Sequence, residues 1–575
     1  MRPVPVLTLV LLAACARPGG PPAQPIPVAH GPWPPTWTVG DSATAVTEPH
    51  AMVVSGHPLA TDVGRLILRQ GGNAIDAAVA VGFALAAVLP DAGNLGGGGF
   101  IVYRDTAGVV QALDYREMAP LAASRNMYLD STGNPTELSV TGHLAAGVPG
   151  SVAGLHAAWQ RLGRLPWAVL VAPAIALAQA HVLDQDRSES IQSDAERLGQ
   201  YPASAAQFLV EGHAPASGTL FRQPDLARTL RLIADSGPDV FYRGQIADLI
   251  VAEMARGHGL ITKADLAAYT PKWRTPVRIS YRGYTIYSMP PASSGGVTMG
   301  EILNIMEGYA SLPPFGSPAL LHLEAEAMRR AFMDRNRWLG DPDFVAMPID
   351  RLLSKAYAAE LRVQIEPARA TPTPPFDPNA PGGTNTTHYS VVDAEGNAAA
   401  VTTTLNNGFG SAVTVSGGGF LLNDEMDDFA TAPGKPNMFG LVQGENNAVA
   451  PGKRMLSAMT PTIVLDPQGA LFLVVGSPGG PRIITTVYHV ISDVIDHHMG
   501  LAQAVGAPRA HHQALPDSLS LERGGFAPAV MDSLRAMGYG VREGGRSGLV
   551  MAIMRGPAGW IGVADPRTVG LAAGY

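Results

Sequence analysis

The sequence predicts an α/β protein, on three observations. The run from Asn73 to Leu89 is apolar nearly all round, as in a helix buried on every side. Residues 386–404 carry β-branched and small side chains on both sides of a turn at Asp393 to Asn397, with Gly396 near its end, which is the pattern of a β-hairpin. Two apolar β-type runs, Pro461 to Leu465 and Leu471 to Val475, lead through a glycine-rich turn into a helical stretch, Arg482 to Ile495. A length of 575 residues allows either more than one domain or one large α/β unit made of two segments.

The N-terminus has Arg2, an apolar run from Val4 to Leu12 and then Leu12-Ala13-Ala14-Cys15. The run is too short to span a bilayer but suits an export signal. Leu-Ala-Ala-Cys resembles the lipobox of bacterial lipoproteins, in which the cysteine is lipidated and becomes the first mature residue; a plain secretory signal with an incidental cysteine is the other reading. Residues 16–45, rich in proline, read as a tether. His57 to Gln70 has helical spacing. The four consecutive glycines, Gly96 to Gly99, in Pro90-Asp-Ala-Gly-Asn-Leu-Gly-Gly-Gly-Gly-Phe100 precede a strand with no Lys-Ser/Thr and no helix after them, which excludes a phosphate loop and leaves tight turning beneath a site.

After a strand at Val109 to Leu113 comes Asp114-Tyr115-Arg116-Glu117-Met118. An arginine at a strand end either clamps a carboxylate or forms a surface ion pair. Gly147 to Ser151 turns into a helix, Val152 to Arg161, and residues 167–269 read as mostly helical. Strands at Val277 to Ser280 and Tyr284 to Ser288 precede helices at Val297 to Met306 and Leu320 to Trp338, the charges of the last reading as a solvated face. Past the hairpin, Asn423 to Asp428 holds four acids out of EF-hand register, a cluster suited to an amine. Pro433 to Lys453 reads as a lid. Gly476-Ser-Pro-Gly-Gly480 ends a strand and can present N–H groups to an oxyanion. His511 and His512 lack nearby metal-ligand spacing, so no metal or cofactor is expected.

Composition narrows the chemistry. With 40 basic against 48 acidic residues and no long basic run, nucleic acid is excluded as the expected partner. Cys15 is the single cysteine, so there is no disulfide framework and any covalent nucleophile is an oxygen. Residues 367–385 form a Pro/Gly/Thr-rich stretch that reads as an exposed loop, directly before Thr386. Thr386 either simply begins a strand or is a nucleophile uncovered by cleavage. In the second case the freed α-amine, titrating at roughly pH 7.7–8.0, is a general base attached to the hydroxyl it must activate.

Taken together the motifs resemble the γ-glutamyltransferases of the N-terminal nucleophile (Ntn) hydrolase superfamily. The resemblance runs from about Glu48 to Tyr575 and is carried by residues 92–100, 114–120, 147–154, 289–296, 386–406, 421–429, 453–463 and 476–487 and by the C-terminal Asp-Pro-Arg-Thr-Val-Gly-Leu-Ala-Ala-Gly-Tyr. It implies an αββα four-layer sandwich and self-cleavage between Asn385 and Thr386, giving a large subunit (46–385) and a small subunit (386–575) that stay together. It also implies roles: Thr386 as nucleophile, Thr404 as its holder, Arg116 with Ser457 on the α-carboxylate of a γ-glutamyl group, Asn406, Glu425 and Asp428 on its α-amino group, and the N–H groups of Gly479 and Gly480 as the oxyanion hole. The expected partners are glutathione or another γ-glutamyl donor, and water or an amino-acid or peptide acceptor. Expected localisation is the periplasm or cell envelope, through lipid on Cys15. An Ntn enzyme with another acyl preference, of the glutaryl-cephalosporin acylase or poly-γ-glutamate depolymerase kind, and a non-catalytic lipid-anchored binding protein are the alternatives.

Two departures from the family pattern stand out. Ser457-Ala458 replaces a Ser-Ser pair, and Phe439 lacks the hydroxyl that would tie the lid to Asn406, so a weaker carboxylate pocket and a looser lid are expected.

Overall fold

The computed structural model describes residues 31–372 and 386–575. Cys15 and residues 373–385, which include Asn385 and most of the expected loop, lie outside the described residues. Two seven-stranded sheets, antiparallel throughout, make the centre. One runs in the order Leu571–Gly574, Met52–Ser55, Thr386–Val392, Ala398–Thr404, Gly98–Arg104, Val110–Tyr115, Lys272–Arg274. The other runs Val46–Glu48, Gly559–Ala564, Met551–Gly556, Leu471–Gly476, Thr462–Leu465, Tyr284–Ser288, Val277–Tyr281.

Alternation along the hairpin decides what faces what. Val391 and Val401 pack with the helices Pro58–Arg69 and Ala74–Val88 on the outer side. Val392, Ala398 and Ala400 pack with Val474 and Ala552 of the second sheet. Because side chains alternate with period two, Thr386, His388 and Ser390 lie with Thr404 and Thr402 on the face between the sheets; Ser390 Oγ donates to the carbonyl of Met551 there. Helices Gly295–Glu307 and Arg482–Ile495 cover the second sheet, completing the helix–sheet–sheet–helix order expected. Ala74–Val88 is buried at every position and starts with a capping box, Asn73 with Asp76, that satisfies its first N–H groups.

Three expectations are corrected. The charged face of the helix Pro318–Trp338 is not solvated: Glu324, Glu326, Arg329, Arg330 and Arg335 are all buried. Glu326 accepts from Arg330, Thr371 and Tyr539, so the helix carries its ion pairs into the interior. The glycines at 96–99 do not form turns. A Cβ would stand 2.1 Å from the carbonyl oxygen of Leu421 at Gly96 and 2.1 Å from that of Thr404 at Gly97, so they let chains pass at backbone contact. Finally, the described part of the tether is docked. Trp33 and Trp37 are buried, and the Trp37 indole donates to the Gly506 carbonyl at 2.8 Å.

Candidate active site

The hairpin register sets Thr386 directly opposite Thr404, and their Oγ1 atoms lie 3.2 Å apart. Thr404 Oγ1 also accepts the backbone N–H of Asn406 at 2.8 Å, which fixes its orientation. Below the pair, His388 is fully buried; desolvation lowers it to about pKa 3, so it is a neutral strut between Thr402 and Ser390. The second sheet brings the glycine turn to the same place. Gly479 and Gly480 have φ values of 134° and 56°, a backbone that side-chain-bearing residues rarely adopt. Their carbonyls accept from Arg482 and Ile483, opening the helix Arg482–Ile495, and neither glycine N–H donates within the protein among the described residues.

A cleft of about 310 Å³, open space at its mouth included, begins at Thr386, and its walls include Arg116, Glu425, Asp428, Ser457 and Arg335. Of the four acids in 424–428 only Glu425 and Asp428 line it. Asp427 faces away, accepting from Ser139 and from the N–H of Met438, and Asp424 accepts from the N–H of Asn407. Asn423 joins the motifs by donating to the carbonyls of Gly96 and Gly147 and accepting from Glu425 N–H.

Arg116 is fully buried, with its terminal nitrogens on Glu425 and Asp428 and its Nε on the Met455 carbonyl. Burial drives both carboxyls above their ordinary range, and Arg116 opposes the shift. Glu117 stands 3.6 Å from Arg116; burial lifts it to about pKa 7, and neither of its oxygens has a hydrogen-bond partner among the described residues. Three carboxyls thus crowd the Arg116 guanidinium, Glu425 and Asp428 of the cavity wall and Glu117 outside it, and the two on the wall suit an ammonium group.

Sequence reasoning missed Arg335. It is buried, lines the cavity, and donates to the neutral acceptors Ser294 Oγ, Asn336 Oδ1 and Gln443 Oε1 at 2.9, 3.1 and 3.3 Å. It forms no ion pair among the described residues, and burial lowers it to about pKa 10. Ser294 in turn donates to the carbonyl of Ser457, so Arg335 and the Ser457 loop are held as one unit. The signal that could have found Arg335 is its place at the C-terminal end of a helix whose charges are too many and too mixed for one solvent face.

The segment expected to be a lid closes over the cavity. Phe439 and Leu441 line it, and Phe439 is buried. Three hydrogen bonds hold the segment there: Gln513 donates to the Phe439 carbonyl, Gln443 to that of Asp428, and Met438 N–H to Asp427. The Asn406 amide donates to the Asp424 carbonyl at 3.1 Å and reaches the Met438 sulfur at 3.7 Å. Ala458 sits in the wall where a second hydroxyl would stand. His511 and His512 are hydrogen-bonded to Thr485, Gln513 and Asp517, and no group of metal-ligating side chains occurs among the described residues.

Residues 60–575 match the family model described as Gamma-glutamyltranspeptidase. The chain is 45% identical over 584 residues to the glutathione hydrolase proenzyme of Escherichia coli (strain K12), covering 100% of this chain and 99% of that protein. Among solved structures, the gamma-glutamyltranspeptidase of Helicobacter pylori aligns at 48% identity with a TM-score of 0.54, over 55% of this chain and 92% of that one. A cephalosporin acylase from Bacillus halodurans aligns at 28% identity with a TM-score of 0.83, over 92% and 97%.

Proposed function

The chain belongs to the gamma-glutamyltranspeptidase family and is a γ-glutamyltransferase/glutathione hydrolase, and we propose that it acts through Thr386 after cleavage at the Asn385–Thr386 bond. The observation that carries this reading is the meeting of the Thr386–Thr404 hydroxyl pair, the Gly479–Gly480 turn and the Arg116–Glu425–Asp428 cluster around one cavity.

A γ-glutamyl group is a zwitterion at its free end. Its ammonium suits Glu425 and Asp428, whose ionised forms it stabilises, with the Asn406 side chain beside them. Its carboxylate suits the guanidinium groups of Arg116 and Arg335 and the Ser457 hydroxyl. The Thr386 α-amine takes the hydroxyl proton, Oγ1 attacks the γ-carbonyl carbon, and the N–H groups of Gly479 and Gly480 receive the charge that develops on oxygen. The leaving amine departs with the proton. Water or another amine then attacks the ester and restores Thr386. Glutaryl acyl groups lack the ammonium that the acid cluster would bind, which disfavours an acylase of that kind. Incubating the purified protein with glutathione tests the reading. Stoichiometric release of glutamate and cysteinylglycine is expected, and no release from a protein cut before Thr386 would overturn it.

We further propose that Cys15 carries lipid and holds the enzyme at the cell envelope. Leu12-Ala13-Ala14-Cys15 after a short apolar run supports this. The mass of the N-terminal peptide decides it: a diacylated Cys15 is expected, and a mature chain that starts elsewhere rules the anchor out.

A further inference from the structure

The aim of the Thr404 hydroxyl depends on how the strand Ala398–Thr404 ends. Thr404 opposite Gly98 is the last pair of its ladder with the strand Gly98–Arg104, and two residues on Asn406 turns the chain away with a φ of 81°. A side chain on the last residue before such a turn stays aimed only if the strand end is fastened from outside the ladder.

Asn94 supplies that fastening. It is buried, and its amide donates to the Thr404 carbonyl at 2.9 Å, to Thr403 Oγ1 at 3.2 Å and to the Ala92 carbonyl at 3.0 Å. Thr403 in turn donates to the Gly98 carbonyl at 2.8 Å. Because strand side chains alternate, Thr403 points to the face opposite Thr404, so Asn94 grips the strand end from the side away from Thr386. The other half of the amide anchors Asn94 itself. Its Oδ1 accepts from Gly97 N–H at 3.1 Å and from Ser151 Oγ at 2.5 Å, at the start of the helix Ser151–Leu162. Gly97 makes room for the grip: a Cβ there would stand 2.1 Å from the Thr404 carbonyl oxygen and 2.7 Å from the Asn94 amide.

We propose that Asn94 is a positioning residue for the reaction. By holding the Thr404 carbonyl it fixes the peptide plane that leaves Thr404, and with it the hydroxyl that faces Thr386 Oγ1 at 3.2 Å. This rests on Thr386 being the acylated nucleophile. Self-cleavage and turnover both use that hydroxyl pair, so both slow when the grip is lost. Arg116, Glu425 and Asp428 stand on other segments, so binding of the γ-glutamyl end changes little.

Variants that divide the two halves of the Asn94 amide test this, with γ-glutamyl-p-nitroanilide turnover per cleaved chain, timed conversion to the 386–575 fragment and thermal unfolding as readouts. Asn94→Asp keeps the acceptor for Gly97 and Ser151, loses the donors and sets a carboxylate oxygen against the Thr404 carbonyl. Asn94→Ala removes both halves and buries no charge. Ser151→Ala takes one donor from Oδ1 and leaves the amide on Thr404. Both Asn94 variants are expected to cleave more slowly and to lose about 10- to 100-fold in kcat, the scale of a misplaced reacting group, with KM within about twofold. Ser151→Ala should unfold at a lower temperature and keep kcat within about twofold. Wild-type kcat in either Asn94 variant, a loss carried by KM, or an equal kcat loss in Ser151→Ala would overturn the role of Asn94 and leave the nucleophile assignment standing. Absence of nitroaniline release by the wild-type enzyme would defeat the reading of Thr386, and the role of Asn94 with it.

Discussion

Thr386→Ala is expected to stay uncut and inactive, while the wild-type chain yields a fragment spanning residues 386–575 that begins Thr-Thr-His-Tyr-Ser. One side chain serves both events. On the proposed mechanism, cleavage at the Asn385–Thr386 bond uses the Thr386 hydroxyl as nucleophile, and turnover uses the same hydroxyl together with the α-amine that cleavage releases. Loss of a covalent nucleophile lowers turnover by on the order of 10⁴-fold or more, and here the variant also lacks the base. Its fold should persist, because Thr386 ends a hairpin whose remaining register, from Thr387 opposite Thr403 to Val392 opposite Ala398, does not depend on the hydroxyl. Denaturing electrophoresis with N-terminal sequencing of the smaller band checks the first part and a γ-glutamyl anilide assay the second. A cleaved Thr386→Ala chain would place the nucleophile elsewhere.

The two halves of this site differ in how far the sequence revealed them. The place of Thr386 was legible because its surroundings are local: a Pro/Gly/Thr-rich stretch of sequence directly before a hairpin, and a strand period that sets Thr386 and Thr404 on one face. The Gly479–Gly480 turn was legible for the same reason, lying between one strand and the helix that follows it. The buried helix Ala74–Val88 announced itself by an unbroken apolar run. Arg335 was hidden because its role comes from tertiary placement. Its helix is amphipathic in composition, yet ion pairs such as Arg330 with Glu326 take its charged residues inside, where a count of charges along the sequence cannot distinguish them from a solvated face. The glycines at 96–99 mark a backbone constraint, but its kind is not written locally, since the backbone contacts with Leu421 and Thr404 involve residues about 300 positions away. The docking of Trp33 and Trp37 escaped for want of any periodic pattern around them.

Arg335→Gln is expected to lower kcat/KM for a γ-glutamyl anilide by roughly 10- to 150-fold, the equivalent of about 1.5–3 kcal/mol for a hydrogen bond to a charged group. The fold should survive, because the partners left behind, Ser294, Asn336 and Gln443, are neutral. Arg116→Gln differs in kind. Removing it strands the buried carboxylates of Glu425 and Asp428, so stability should fall by about 3–5 kcal/mol unless they take up protons. The same charge pattern separates ground-state pairing from substrate binding: Arg116 organises the acids, and Arg335 is the guanidinium with no acid to give up when a carboxylate arrives. A 4-aminobutyryl anilide, which keeps the amine and lacks the carboxylate, provides the discriminating measurement. Arg335→Gln should leave the poor rate on this compound nearly unchanged, so that mutation and carboxylate removal are strongly non-additive. Equal losses on both anilides would mean that Arg335 only supports the Ser457 loop through Ser294, and the carboxylate would then fall to Arg116 alone.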